Sequence, residues 1–127
     1  QIDRLEELKD IYNLIPICPE VMGGLSTPRP PAERVGNLVK TENGIDVTEQ
    51  FQRGAAFALQ IAIDRKCMRA LLKAKSPSCG YGEIYDGTFT RTLVNGIGVT
   101  SELLLQHDIS IYTEKNVQDL IMQNSDD

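Results

Sequence analysis

The chain has 127 residues, of which 41% are hydrophobic, and a formal net charge of −5, so it is long enough for one domain with its own core. The acidic balance excludes phosphate-backbone binding as the main activity while leaving room for a local basic pocket. No apolar run reaches the length of a membrane span, no signal-peptide pattern opens the chain, and three cysteines form no disulfide framework. A reducing, cytoplasmic setting is the expectation, with no membrane and no polymeric nucleic acid as partner.

"QIDRLEELKDIY" places Leu5, Leu8 and Ile11, with Tyr12, near helical spacing. "LIPIC", Leu14 to Cys18, reads as a buried strand ended by Pro19, with Pro16 restricting its pairing. Residues 23–35 read as a loop, stiffened by prolines around Arg29 and opened by a Gly-Gly pair. Asn43-Gly44 is a hairpin signal. Asp46 or Thr48 can cap a long helix, with Glu49 three residues after Asp46. In that helix Phe51, Ala55, Ala58, Leu59 and Ala62 share one face.

Cys67 to Lys73 reads as a second buried strand, followed by the tight loop "AKSPSCGYG". Asp86-Gly87 gives a second hairpin signal. "VTSELLLQ" reads as a short helix capped by Thr100, "ISIY" as a third core strand, and "EKNVQDLIMQ" as a terminal helix before the solvated tail "NSDD". Strands alternating with helices predict an α/β fold: a three-layer, Rossmann-like, mostly parallel sheet with flanking helices and short β-hairpins. Ligands of such sheets sit beyond the carboxyl ends of strands.

Cys18 and Cys79 each follow a predicted strand, beside Pro and Gly. Two thiolates converging there could bind a soft metal or an iron–sulfur cluster, or act in redox chemistry. The plain alternative is that each is a small buried residue, and two ligands are too few for a closed zinc site. Cys67 reads as structural, and His107, the single histidine, as a surface residue at a helix end. Glu20, Glu33, Arg29 and Arg34 share the stiff loop, which could preorganise a carboxylate and a guanidinium. Ser76 and Ser78 flank Pro77 just before Cys79, where a hydroxyl can relay a proton or cap the turn.

"PICPEVMGGLSTPRPPAE", "DVTEQFQRGA", "KAKSPSCGYGEIYDGTF" and "GVTSELL" follow one another in this chain. In that order and spacing they resemble the DUF523 family, which includes bacterial thiouracil desulfurases. The resemblance spans Ile15 to about Tyr112 and implies a single DUF523-like domain over residues 1–127. It further implies a [4Fe-4S] cluster on three cysteines, with one iron open to the sulfur of a thionated pyrimidine base or nucleoside. Cys18 and Cys79 would be two of those ligands. The third belongs to an N-terminal "CLLG"-type loop after a first strand, and this sequence contains no such motif. With that chemistry Glu20 is the candidate proton carrier, assisted by Ser76 or Ser78, and Arg29 and Glu33 are candidate substrate-binding residues. A nucleobase- or nucleoside-handling transferase, or a non-catalytic small-molecule or metal-binding module, are the other readings of the same layered fold.

Overall fold

The computed structural model describes residues 5–27, 29–73 and 75–125. The first residues of the opening helical pattern and the acidic pair Asp126 and Asp127 lie outside them. Helix α1 (Leu5–Ile11) is followed by a very short α2 (Pro19–Met22). Strands β1 (Ala32–Val35) and β2 (Leu38–Thr41) lead into the long α3 (Thr48–Asp64) and then β3 (Arg69–Leu71). The rest of the chain is β4 (Tyr81–Tyr85), β5 (Leu93–Ile97), α4 (Val99–Gln106), β6 (Ser110–Tyr112) and α5 (Val117–Ser125).

The fold is mixed α/β, but the expected three-layer parallel sheet is not what forms. Among the described residues there are three separate two-stranded sheets, β1–β2, β3–β6 and β4–β5, and only β3–β6 is parallel. The two antiparallel pairs are local hairpins, whose turns bring their strands together at little loop-closure cost. The segment Leu14–Cys18, expected as a strand, pairs with no described strand. Pro16 has no N–H to give to a ladder. Leu14 nevertheless packs against the cluster of Leu8, Val117 and Leu120, so the segment is apolar for the reason the sequence suggests.

Helix α3 is the spine. Phe51 at its start joins Val39 and Val47 in one core cluster. Leu59 and Ala62 further along pack on a second cluster of Leu72, Leu104, Ile109 and Ile111. The apolar face is the one expected from its period. Asp46 accepts the Thr48 amide at 2.9 Å, one residue ahead of the N-cap Val47, while Glu49 pairs outward with Arg53 at 3.3 Å. Asn43-Gly44 does turn the chain, closing a single bridge between Lys40 and Asp46. The main partner of β2 is instead β1, a strand inside the proline-bearing stretch expected to be loop. Arg34, with its side chain 10% exposed, ties this hairpin to the second half of the molecule. It donates to the Ile97 carbonyl and to Glu102 Oε1, each at 2.7 Å. Among the described residues no helix is long and apolar enough to cross a membrane.

Candidate functional site

Cys18 is the extended residue immediately before α2 (φ −133°, ψ 96°) and its thiol is exposed. Its place is set by two glycines. A Cβ on Gly54 would lie 1.9 Å from the Pro19 carbonyl oxygen, and one on Gly23 would lie 1.9 Å from that of Gln50. Helices α2 and α3 therefore touch backbone to backbone, and Arg53 adds a hydrogen bond to the Gly23 carbonyl at 3.2 Å. Gly54→Ala is expected to lower stability by about 1–2 kcal/mol, since overpacking against rigid backbone outweighs alanine's helix preference. Denaturation midpoints check this, and a midpoint equal to or above wild type would show that α2 is not seated so closely.

Two residues after Cys18, Glu20 faces Arg29. Arg29 Nε donates to Glu20 Oε1 at 3.1 Å, with both side chains 24% exposed. Arg29 Nη1 also donates to the Ser26 carbonyl and to Thr27 Oγ1, each at 3.2 Å, so the loop folds back on its own guanidinium. Burial works against the arginine's charge. The bond to Glu20, with the charges of Glu20 and Cys18 and a contact to the Cys18 sulfur, outweighs it and raises the arginine pKa. Glu20 and Arg29 line a cavity of about 160 Å³, together with Leu25, Ile45, Val47 and Phe51. The stiff loop thus brings one cation to both the thiol and the carboxylate.

Cys79 arrives from the other half of the chain. Its side chain packs on the Leu72–Leu104–Ile109–Ile111 cluster. Burial pushes its thiol pKa up to about 11, opposed by hydrogen bonds from Ser78 and Ser76, and the charges of Glu20 and Cys18 add to the rise. The two cysteines and Glu20 are therefore within electrostatic reach of one another. The loop carrying Cys79 is a wedge under α4. The Val99 amide donates to the Pro77 carbonyl and the Thr100 amide to the Ser78 carbonyl, each at 2.8 Å. A Cβ on Gly98 would fall 2.4 Å from the Ser78 oxygen, so only glycine lets the loop pass this close.

The other residues marked from the sequence have specific places. Glu33 Oε1 accepts the amides of Gly87 and Phe89 at 2.9 and 3.1 Å, so its carboxylate pins the β4–β5 connection. Ser76 Oγ accepts the Cys79 amide at 2.7 Å and closes the turn. Ser78 is buried and shares a 2.8 Å hydrogen bond with Thr100. Thr100 does not cap α4 with its side chain; the N-cap is Gly98, and the loop carbonyls do the capping. Cys67 follows α3, its amide bonded to the Ala62 carbonyl. Eight residues of helix separate Ala62 from Gly54 beside Pro19, about 12 Å along the axis, so Cys67 stands apart from Cys18. His107 is an exposed C-cap residue whose Nδ1 lies 3.1 Å from the Leu103 carbonyl, as expected. Sequence reasoning missed Thr100 as a site neighbour, and the Thr100-Ser101 pair just past Gly98 and Val99 was the available signal.

Comparison with known proteins adds to this geometry. The family model described as 2-thiouracil desulfurase matches residues 2–116. The chain belongs to the 2-thiouracil desulfurase family. A solved structure related to this desulfurase chain is the [4Fe-4S]-dependent thiouracil desulfidase TudS. The match has a TM-score of 0.91 at 45% identity, over 97% of this chain and 82% of that one. The uncharacterized protein YbbK of Bacillus subtilis (strain 168) is 37% identical over 129 residues, covering 94% of this chain and 85% of the relative. The resemblance to the desulfurase family read from the motifs is therefore borne out.

Proposed function

We propose that this chain removes sulfur from a thionated pyrimidine base of the 2-thiouracil type, with Cys18 and Cys79 as thiolate ligands of an iron–sulfur cluster. The observation that supports the reading is that Cys79 lies within electrostatic reach of Cys18 and of Glu20, the partner of Arg29, in a chain so similar to TudS. The donor chemistry fits. Thiolates are soft ligands for iron, and neither cysteine is committed to a disulfide. They account for two corners of a cluster; no group of three His, Cys, Asp or Glu that could hold a metal occurs among the described residues.

When bound, the cluster supplies a soft iron that attracts the sulfur of a thiocarbonyl. The rest falls to the protein. Exchanging C=S for C=O consumes one water and releases sulfide, with no net oxidation. The protons leaving water must reach the departing sulfur. Glu20 is the carrier we assign to those protons, supported by its place two residues after Cys18 and by the Arg29 hydrogen bond that orients it. The cavity of about 160 Å³ is close to the roughly 150 Å³ that takes up benzene in an engineered core. A single six-membered ring is of that size, and Glu20 and Arg29 in its lining tie it to the Cys18 loop. The test is anaerobic reconstitution with iron and sulfide, then assay of uracil and sulfide formed from 2-thiouracil. Uracil and sulfide are expected in equal amounts. Absence of uracil from a brown, iron-loaded protein would overturn the reading.

A further inference from the structure

Behind Cys79 stands a row of three groups. Cys79 Sγ lies 3.7 Å from Ser78 Oγ, and Ser78 Oγ lies 2.8 Å from Thr100 Oγ1. Ser78 is 1% exposed and Thr100 0%. The backbone has already satisfied the start of α4, because the Val99, Thr100 and Ser101 amides all donate to loop carbonyls. Ser101 Oγ donates to the Cys79 carbonyl at 2.8 Å. The Thr100 hydroxyl is thus released from the capping role a threonine usually takes near a helix start.

We infer that Thr100 is a positioning residue for the Cys79 sulfur, acting through Ser78; the inference rests on the reading of Cys79 as a thiolate ligand. A thiol can donate, so with the proton in place the row can be polarised in either direction. A metal-bound thiolate can only accept. Ser78 must then turn its O–H toward the sulfur, and its oxygen is left to accept from Thr100. Only one arrangement satisfies all three groups: Thr100 donates to Ser78, and Ser78 donates to sulfur. The thiol proton leaves to solvent as the metal takes its place; the two hydroxyls keep their protons, and only their rotors turn. A donor behind a donor polarises the chain and strengthens the terminal hydrogen bond. Partners of this outer kind orient a metal's ligands and tune its affinity.

The test uses the protein in a Cys67→Ala background, with Cd²⁺ as a soft probe that needs no cluster assembly. Binding is read from the sulfur-to-cadmium charge-transfer absorption. Thr100→Ala and Thr100→Ser both lose the buried methyl, and only serine keeps the hydroxyl. Thr100→Ala is expected to bind Cd²⁺ about 10–100-fold more weakly than Thr100→Ser. In a Cys79→Ser background the two are expected to bind alike, a result that a general loss of packing would not produce. Equal affinities of Thr100→Ala and Thr100→Ser, with Cys79→Ser still weakening the site, would overturn the relay and leave the ligand reading standing. No effect of Cys79→Ser, or no charge-transfer band in the parent protein, would remove the ligand reading and the relay with it.

Discussion

Cys79→Ser and Cys18→Ser are each expected to lose iron and sulfide release together. A hydroxyl oxygen is a hard donor, a poor replacement for a thiolate on iron. The substitution changes little else at Cys79, since the turn is held by the Ser76 contact to the backbone amide and by the loop carbonyls under α4. The protein should fold, remain colourless after anaerobic reconstitution, and release no sulfide from 2-thiouracil. Cys67→Ala is the matched control, because that thiol sits past the far end of α3, and it should leave iron content and turnover unchanged. The high pKa of Cys79, about 11, adds a dependence. At neutral pH burial keeps the proton on sulfur, so metal must displace it, and loading should improve as pH rises toward that value. A Cys79→Ser protein with wild-type iron content would strike Cys79 from the ligand set.

Glu20→Gln is expected to separate binding from turnover. Glutamine keeps the shape and can still accept a hydrogen bond from Arg29 Nε, so the loop and cavity should persist. It cannot exchange a proton. Iron content should match wild type while sulfide release falls by roughly 10²–10⁴-fold, the usual range for a lost general acid–base. Iron and sulfide measured on the same preparations decide the matter. Wild-type turnover in Glu20→Gln would reduce Glu20 to an anchor for Arg29, and Ser76 or Ser78 would become the better proton carriers.

The parts of the fold written in local periodicity were legible. Helix α3 follows from the spacing of Phe51, Ala55 and Ala58, and the β4–β5 hairpin surrounds the Asp86-Gly87 signal. Features that depend on distant pairing were not. Strand β1 hides among prolines because its identity comes from facing β2, and α2 is four residues long, too short for a period to show. Glu33 looked like a ligand-binding carboxylate; its partners are amides 54 and 56 residues further along, which no spacing rule anticipates. The two cysteines proposed as ligands stand out in the sequence by their loops and motifs. The approach of Arg29 to Glu20 and the Cys18 sulfur was not legible, since it requires the chain to fold back through Ser26 and Thr27.

The seating of the Cys79 loop beneath α4 also couples two motions. The first amides of α4 are bonded to Pro77 and Ser78 rather than to water. Lifting the loop would leave those amides bare, and fraying the helix would release the loop. The two events are one opening, with one free energy. Amide hydrogen exchange at Val99, Thr100 and Ser101 therefore acts as a clock for the loop that bears the buried thiol. Their exchange should be slow in concert, and any bound metal that holds Cys79 should slow all three by a common factor.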